Sequence, residues 1–191
     1  MRSVTYWMGM SLDGYVVGPD GGFDWTEPDD ELFQFAIDQI QEVGVHLLGR
    51  KLYEAMLYWE TAEEATLSEA FREWKRLWMA LPKVVFSTTL TTVEGSNTRL
   101  ATGDLAAEIA GLRTEPDEGH IAIGGPTLAH QAAQLGLIDE YRPRVHPVLV
   151  GGGLPYFAQH EQRVDLELLD ERLFATTGVR YLRYRVARQA E

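Results

Sequence analysis

The sequence predicts an α/β fold: a mixed, mostly parallel central sheet with helices on both faces and an antiparallel C-terminal edge. Two patterns predict it. Buried β-prone segments alternate with helical periodicities as far as residue 136, and the remaining chain offers consecutive strands with no helix signal between the last two. No repeat, linker or low-complexity tract divides the chain, and 191 residues with 45% hydrophobic content suffice for one core, so residues 1–191 are expected to form a single domain.

The elements follow in order. Residues 4–10 are apolar and β-prone and break at Ser11-Leu12-Asp13-Gly14, predicting a strand that feeds a glycine-rich loop. From Asp29, the residues Leu32, Phe33, Ala36, Ile37, Ile40 and Val43 recur at helical spacing, and Gly44 is expected to stop that helix. A buried strand over residues 45–48 runs into Gly49-Arg50-Lys51. Thr66-Leu67-Ser68-Glu69 has the form of a capping box, with Leu67, Ala70, Phe71, Trp74, Leu77, Trp78 and Leu81 on one apolar face behind it. A strand over residues 83–88 ends in hydroxyls, and Asp104 is expected to cap a helix carrying Leu105, Ile109 and Leu112. Residues 120–123 form a buried strand leading into Gly124-Gly125-Pro126-Thr127 and a helix that stops near Gly136. A β-rich run over residues 139–150, then strands near 164–168 and 179–186, complete the chain.

In a sheet of this kind, ligands bind outside the carboxyl ends of the strands. Three such ends carry special residues. At Gly124-Gly125 the missing side chains let backbone N–H groups approach a diphosphate, and Pro126 suits the first turn of a helix whose dipole favours negative charge. Two glycines alone fit a plain tight turn equally well. Arg50, with Gly49 and Lys51 beside it, begins a helix after a buried strand, and Ser87 and Thr88 end the neighbouring one. Together they could hold a second phosphate, although each alone fits a surface ion pair or a strand cap. A ligand with a diphosphate and a separate 2′-phosphate is NADPH. No G-x-G-x-x-G follows the first strand, so the cofactor would be bound by another scheme than the dinucleotide fingerprint.

The motifs, in chain order, are Met10-Ser11-Leu12-Asp13-Gly14-Tyr15-Val16-Val17-Gly18, Asp24-Trp25, Leu48-Gly49-Arg50-Lys51-Leu52-Tyr53-Glu54, Val84-Val85-Phe86-Ser87, Ile123-Gly124-Gly125 and Pro147-Val148-Leu149-Val150-Gly151-Gly152-Gly153-Leu154-Pro155-Tyr156-Phe157. Taken in that order over nearly the whole chain, they resemble the dihydrofolate reductase superfamily, and more closely its riboflavin-biosynthesis branch (RibD C-terminal domain-like) and small stand-alone reductases. The resemblance implies a dihydrofolate-reductase-like three-layer α/β/α fold and hydride transfer from NADPH to a small heterocyclic substrate. It puts the nicotinamide against Gly9, Val16 and Val17, the 2′-phosphate at Arg50, Ser87 and Thr88, and the diphosphate at Gly124, Gly125 and Thr127. It offers Asp30 or Glu31 as the acid, Trp25 as a pocket wall, and a homodimer formed near residues 144–157. The nearest named activity is reduction of 5-amino-6-(5-phosphoribosylamino)uracil. The alternatives are a cofactor-binding module without catalysis and a dihydrofolate or pterin reductase. Folate is disfavoured because residues 55–65, where that substrate's glutamate tail is read, lack arginine. Ile123 stands where the riboflavin branch commonly has an acid.

Composition excludes other classes. With 17 basic against 29 acidic residues, the net charge of −12 repels a nucleic-acid backbone. The absence of cysteine removes disulfides and thiolate chemistry and suits a cytoplasmic setting, and neither a signal sequence nor a membrane span is indicated. His46, His120, His130, His146 and His160 show no metal-ligand spacing, so no metal is expected, and His46 and His120 are expected to be structural at strand starts. Trp74 and Trp78 are expected in core or interface. No G-x-S-x-G elbow supports a hydrolase.

Overall fold

The computed structural model describes residues 1–116, 119–157 and 163–187, so His160 lies outside the described residues. The strands are β1 (Val4–Tyr6), β2 (Gly9–Ser11), β3 (Tyr15–Val17), β4 (Val43–Gly49), β5 (Lys83–Phe86), β6 (Thr98–Leu100), β7 (His120–Gly124), β8 (Glu140–Tyr141), β9 (Arg144–His146), β10 (Leu154–Pro155), β11 (Leu166–Leu173) and β12 (Arg180–Val186). The helices are α1 (Asp30–Gln41), α2 (Arg50–Met56), α3 (Tyr58–Thr61), α4 (Glu69–Ala80), α5 (Leu105–Thr114) and α6 (Pro126–Gln134).

β1 is buried along its whole length because both of its faces are covered. It pairs in parallel with β7 on one side and β8 on the other, and the sheet continues from β7 through β4, β5 and β6, all parallel. On the other side β12 runs antiparallel to β8 and β9, and β11 pairs with β12 at the edge. The sheet is therefore mixed and mostly parallel with antiparallel strands at the C-terminal end, as the sequence predicts. Helices cover both faces, and the pleat sorts β4 between them: Val45 and Leu47 pack with Ile109 of α5 and Leu128 of α6, whereas Leu48 packs with Ile40 of α1 and Trp78 of α4.

The predicted strand over residues 4–10 is two strands interrupted at Trp7 and Met8. Its partner is interrupted too, at Arg142 and Pro143. The pairing continues across both breaks, since the N–H of Arg142 donates to Tyr6 O at 2.8 Å and that of Arg144 to Met8 O at 3.0 Å. β2 then pairs in parallel with β9, setting Gly9 opposite Arg144.

Several boundaries differ from the sequence reading. Val43 and Gly44 belong to β4 rather than to α1, which ends at Gln41. The register shifts between Val43 and Val45, and a Cβ on Gly119 would lie 2.2 Å from Gly44 N, so Gly44 sits where two backbones crowd. The cap of α4 is Ser68, whose Oγ accepts from Phe71 N–H at 3.2 Å. Thr66 instead donates its hydroxyl to Glu63 O. Asp104 caps α5 as predicted, accepting from Ala107 N–H at 2.8 Å. β6 has no counterpart in the sequence reading, being three residues of a half-exposed edge. β11 runs on to Leu173 through charged residues, held by cross-strand pairs of Glu167 with Arg185 and Glu171 with Arg180. β9 lies inside the sheet, so the apolar run expected near residues 144–150 is core at its start, while Leu149 and Phe157 are exposed.

The loops after β2 and β9 are clasped together. Asp13 accepts from the N–H groups of Val150 and Gly151 at 3.2 and 2.8 Å, Tyr156 donates its buried hydroxyl to Tyr6 O at 2.9 Å, and β3 pairs with β10 as a separate ribbon. Gly153 has φ +114, and a Cβ there would lie 2.0 Å from Val17 O. Gly151 has φ +76 and open space around it. Gly153→Ala should therefore destabilise the protein by at least ~2 kcal/mol and Gly151→Ala by only about 1 kcal/mol, as read from urea denaturation. Equal effects would contradict the close approach of the two loops.

Candidate active site

The carboxyl ends of β4, β5 and β7 meet along one edge of the sheet, with Leu48 paired to Gly124 and Gly49 to Phe86. The helices that start there, like the four-residue α3, lack the side-chain caps of α1, α4 and α5. α1, α4 and α5 are capped by their own Asp29, Ser68 and Asp104 side chains, whereas α2 and α6 begin at Gly49 and Gly125 with no capping side chain. Two neighbouring helix starts thus present N–H groups without a side-chain acceptor, an arrangement suited to phosphate oxygens. Gly125 has φ +92, and Pro126 follows in the first turn of α6, where Thr127 is exposed. Gly124 is required by packing: a Cβ there would lie 2.6 Å from Leu52 Cδ2 and 2.8 Å from His46 Nε2.

Arg50 is exposed at the start of α2, 3.8 Å from Glu54, and its guanidinium donates to Thr89 Oγ1 at 3.4 Å. Ser87 Oγ accepts from the N–H groups of Thr89 and Leu90 at 3.1 and 3.0 Å, forming a turn that carries Thr89 towards Arg50. Thr89, rather than Thr88, is therefore the hydroxyl beside Arg50. Lys51 is exposed on the same helix.

Beside this edge, between β2, β4 and the α1 and α4 helices, lies a cavity of about 280 Å³. Trp7, Phe33, Trp74 and Trp78 form much of its wall, and Gly9 and Val16 open onto it. Its polar lining residues are Thr26, His46, Arg144 and His146, and Trp7 and Trp74 stand in its wall; the indole nitrogens of those two tryptophans are buried. Those two indole nitrogens, and both ring nitrogens of His46, are buried without a hydrogen-bond partner. Unpaired buried polar groups are costly. Burial, followed by the charges of His120 and Lys83, pushes His46 down to about 3; burial and the Arg144 charge push His146 down to about 4.

The other sequence candidates lie differently. Asp30 and Glu31 are exposed in the first turn of α1, and Glu31 pairs with Arg172 at 2.8 Å; neither lines the cavity, which takes Leu32, Phe33 and Ala36 from that helix instead. The cause is helical phase. Trp25 is half-buried at the rim, its ring edge-on to His146 at 5.5 Å. Val17 faces the ribbon with Leu154 rather than the cavity. His46 is the fourth residue of β4 and not a strand-start residue. Sequence reasoning missed His46, Arg144, His146 and Thr89 as site residues, and Trp7, Trp74 and Trp78 as walls. Among the described residues, no group of three His, Asp or Glu could hold a metal ion, and no helix is long and apolar enough to cross a membrane.

Sheet order, helical layers and site position define a dihydrofolate-reductase-like α/β protein. Residues 2–178 match the RibD C-terminal domain, and the chain belongs to that family. It is 28% identical over 179 residues to the uncharacterized protein YyaP of Bacillus subtilis, covering 92% of this chain and 90% of that one. Among solved structures it is similar to a putative riboflavin biosynthesis protein from Shewanella, with a TM-score of 0.75, 22% identity and coverage of 98% and 100%. It is also similar to Acinetobacter baumannii RibD, with a TM-score of 0.71 and 18% identity, where 98% of this chain spans 58% of the longer protein.

The depressed His46 sets a pH dependence. Below about pH 6.5 the unfolded chain takes a proton that the folded chain refuses, so stability is present above that pH and lost as pH falls towards 3. His46 alone should remove about 1.4 kcal/mol per pH unit through that window. Urea denaturation at pH 7 and pH 5 should show the loss, and His46→Phe should make it shallower. An unchanged slope would contradict a buried neutral His46.

Proposed function

We propose that the protein is an NADPH-dependent reductase of a small heterocyclic substrate, acting as one domain in the cytoplasm. The observation that carries this reading is the pair of neighbouring uncapped helix starts at the strand ends beside a tryptophan-walled cavity. The residues present fit the cofactor. The N–H groups at the starts of α2 and α6, with Gly49, Gly124, Gly125, Pro126 and Thr127, would take the diphosphate; Arg50, Lys51, Ser87 and Thr89 would take the 2′-phosphate; Gly9 and Val16 would flank the nicotinamide. When bound, NADPH supplies a hydride. The chain's own contribution is to hold the two rings together, and the apolar wall and the β3–β10 ribbon exclude water. The riboflavin-pathway reduction of 5-amino-6-(5-phosphoribosylamino)uracil is the nearest named activity, supported by family membership.

Fluorescence titration should show NADPH binding at least roughly tenfold tighter than NADH, and Arg50→Ala should weaken NADPH far more than NADH. Equal affinities would sink the 2′-phosphate assignment. An equal loss for both cofactors would move Arg50 out of that role. Tight NADPH binding with no oxidation across pterins, pyrimidines and quinones would favour the non-catalytic module.

We also propose a homodimer. Every residue of β11 is exposed, including Leu166, Leu168, Leu169 and Leu173 at an unpaired sheet edge, and Leu149 and Phe157 are exposed as well. Light scattering should give twice the chain mass for the wild type and a monomer for Leu168→Glu; a monomeric wild type would refute it.

A further inference from the structure

The cavity holds a cation with no counter-ion. Every other described arginine has a carboxylate within ion-pair distance or, for Arg72, two backbone carbonyls. Arg144 makes neither kind of contact among the described residues; its guanidinium lies over the Trp7 ring, 5.5 Å from the centroid, and lines the cavity. In a chain with 29 acidic residues this is not for want of partners. The other polar residues lining the cavity bring no negative charge either: Trp7, Trp74, Trp78, His46, His146 and Thr26, whose hydroxyl donates to Phe23 O. No described carboxylate lines it.

This lining decides between two kinds of reduction. Hydride addition to a C=N bond leaves the electron pair on nitrogen and is helped by an acid that protonates that nitrogen; the cavity lacks the carboxylate for this. Hydride addition to a bond conjugated with a carbonyl leaves the pair on oxygen, and a fixed cation stabilises that oxyanion with no acid present. Resting on the NADPH-dependent reductase reading above, but replacing its heterocyclic substrate, we propose that the substrate is a flat, carbonyl-conjugated ring of the quinone or enone class, whose oxygen lies on Arg144. The reduced nicotinamide is oxidised as its hydride forms a new C–H bond on the ring. The displaced π pair moves to the carbonyl oxygen beside Arg144, and water then supplies one proton to give the neutral reduced product. The tryptophan walls suit the flat ring.

Two arms test this. In the first, 2-hydroxy-1,4-naphthoquinone, an oxyanion at neutral pH, is titrated against the tryptophan fluorescence of the protein without cofactor. The wild type should bind it more tightly than neutral 1,4-naphthoquinone. Arg144→Met should lose roughly 100-fold for the anion, and Arg144→Lys should recover part of that loss. Equal affinity for the two probes, an unaffected Arg144→Met, or displacement of the probe by ribose 5-phosphate, which would make Arg144 a phosphate site, would overturn the proposal. In the second arm, NADPH oxidation is followed with 1,4-naphthoquinone and with dihydropterin. Arg144→Met should lower kcat/KM for the quinone by roughly 100-fold while the NADPH Kd stays within about twofold. Faster turnover of the pterin would contradict it. The arms fail separately: loss of NADPH binding in the wild type removes the reductase reading, whereas loss of the anion preference removes only the substrate class.

Discussion

The site depends on one pair of interrupted strands. Residues 4–11 run beside residues 140–146, and both break at the same level, yet the hydrogen bonds from Arg142 to Tyr6 and from Arg144 to Met8 carry the pairing across. An uninterrupted strand would keep strict two-residue alternation. The break instead lets the consecutive residues Trp7, Met8 and Gly9 line the cavity together, opposite Arg144 and His146. Around it, the buried Tyr156 hydroxyl on Tyr6 O and the Asp13 carboxylate on the Val150 and Gly151 N–H groups fix the two loops that leave these strands. The Ser11 hydroxyl foremost, with the Gly151 and Val150 amides, holds Asp13 below the usual carboxylate range, so it remains a charged clasp.

This clasp explains why two distant motifs occur in one chain. Ser11-Leu12-Asp13-Gly14 and Gly151-Gly152-Gly153 are glycine-bearing turns nearly 140 residues apart. Their contacts are mainly with each other: Asp13 on the glycine loop, and Gly153 against Val17 O. Glycine at residue 153 answers a backbone approach within the protein. The helix starts at Gly49 and Gly125 are the places where backbone N–H groups are left for a ligand.

Much of the fold was legible because its signals are local. The helices α1, α4, α5 and α6 carry periodic apolar faces, the cap at Asp104 lies beside its helix, and β4, β5 and β7 are unbroken apolar runs. What was not legible depends on tertiary contacts. Gly44 has the local signature of a helix stop, and only the crowding by Gly119 marks it as part of a strand. Glu31 matches a family position, but helical phase turns it to Arg172. The cavity gathers residues 7, 46, 74 and 144, separated by most of the chain, and no spacing rule joins them. The phosphate-suited strand ends were accessible from sequence because each is a short run at a strand-to-helix junction.

The proposed function requires one sheet edge to hold a dinucleotide with its reactive ring in the tryptophan-walled cavity. A crystal structure of the protein soaked with NADP⁺ should show the diphosphate at the N-terminus of α6, the 2′-phosphate within reach of Arg50, and the nicotinamide beside Gly9 and Val16. A dinucleotide bound away from that edge, with the cavity left filled only by water, would contradict it.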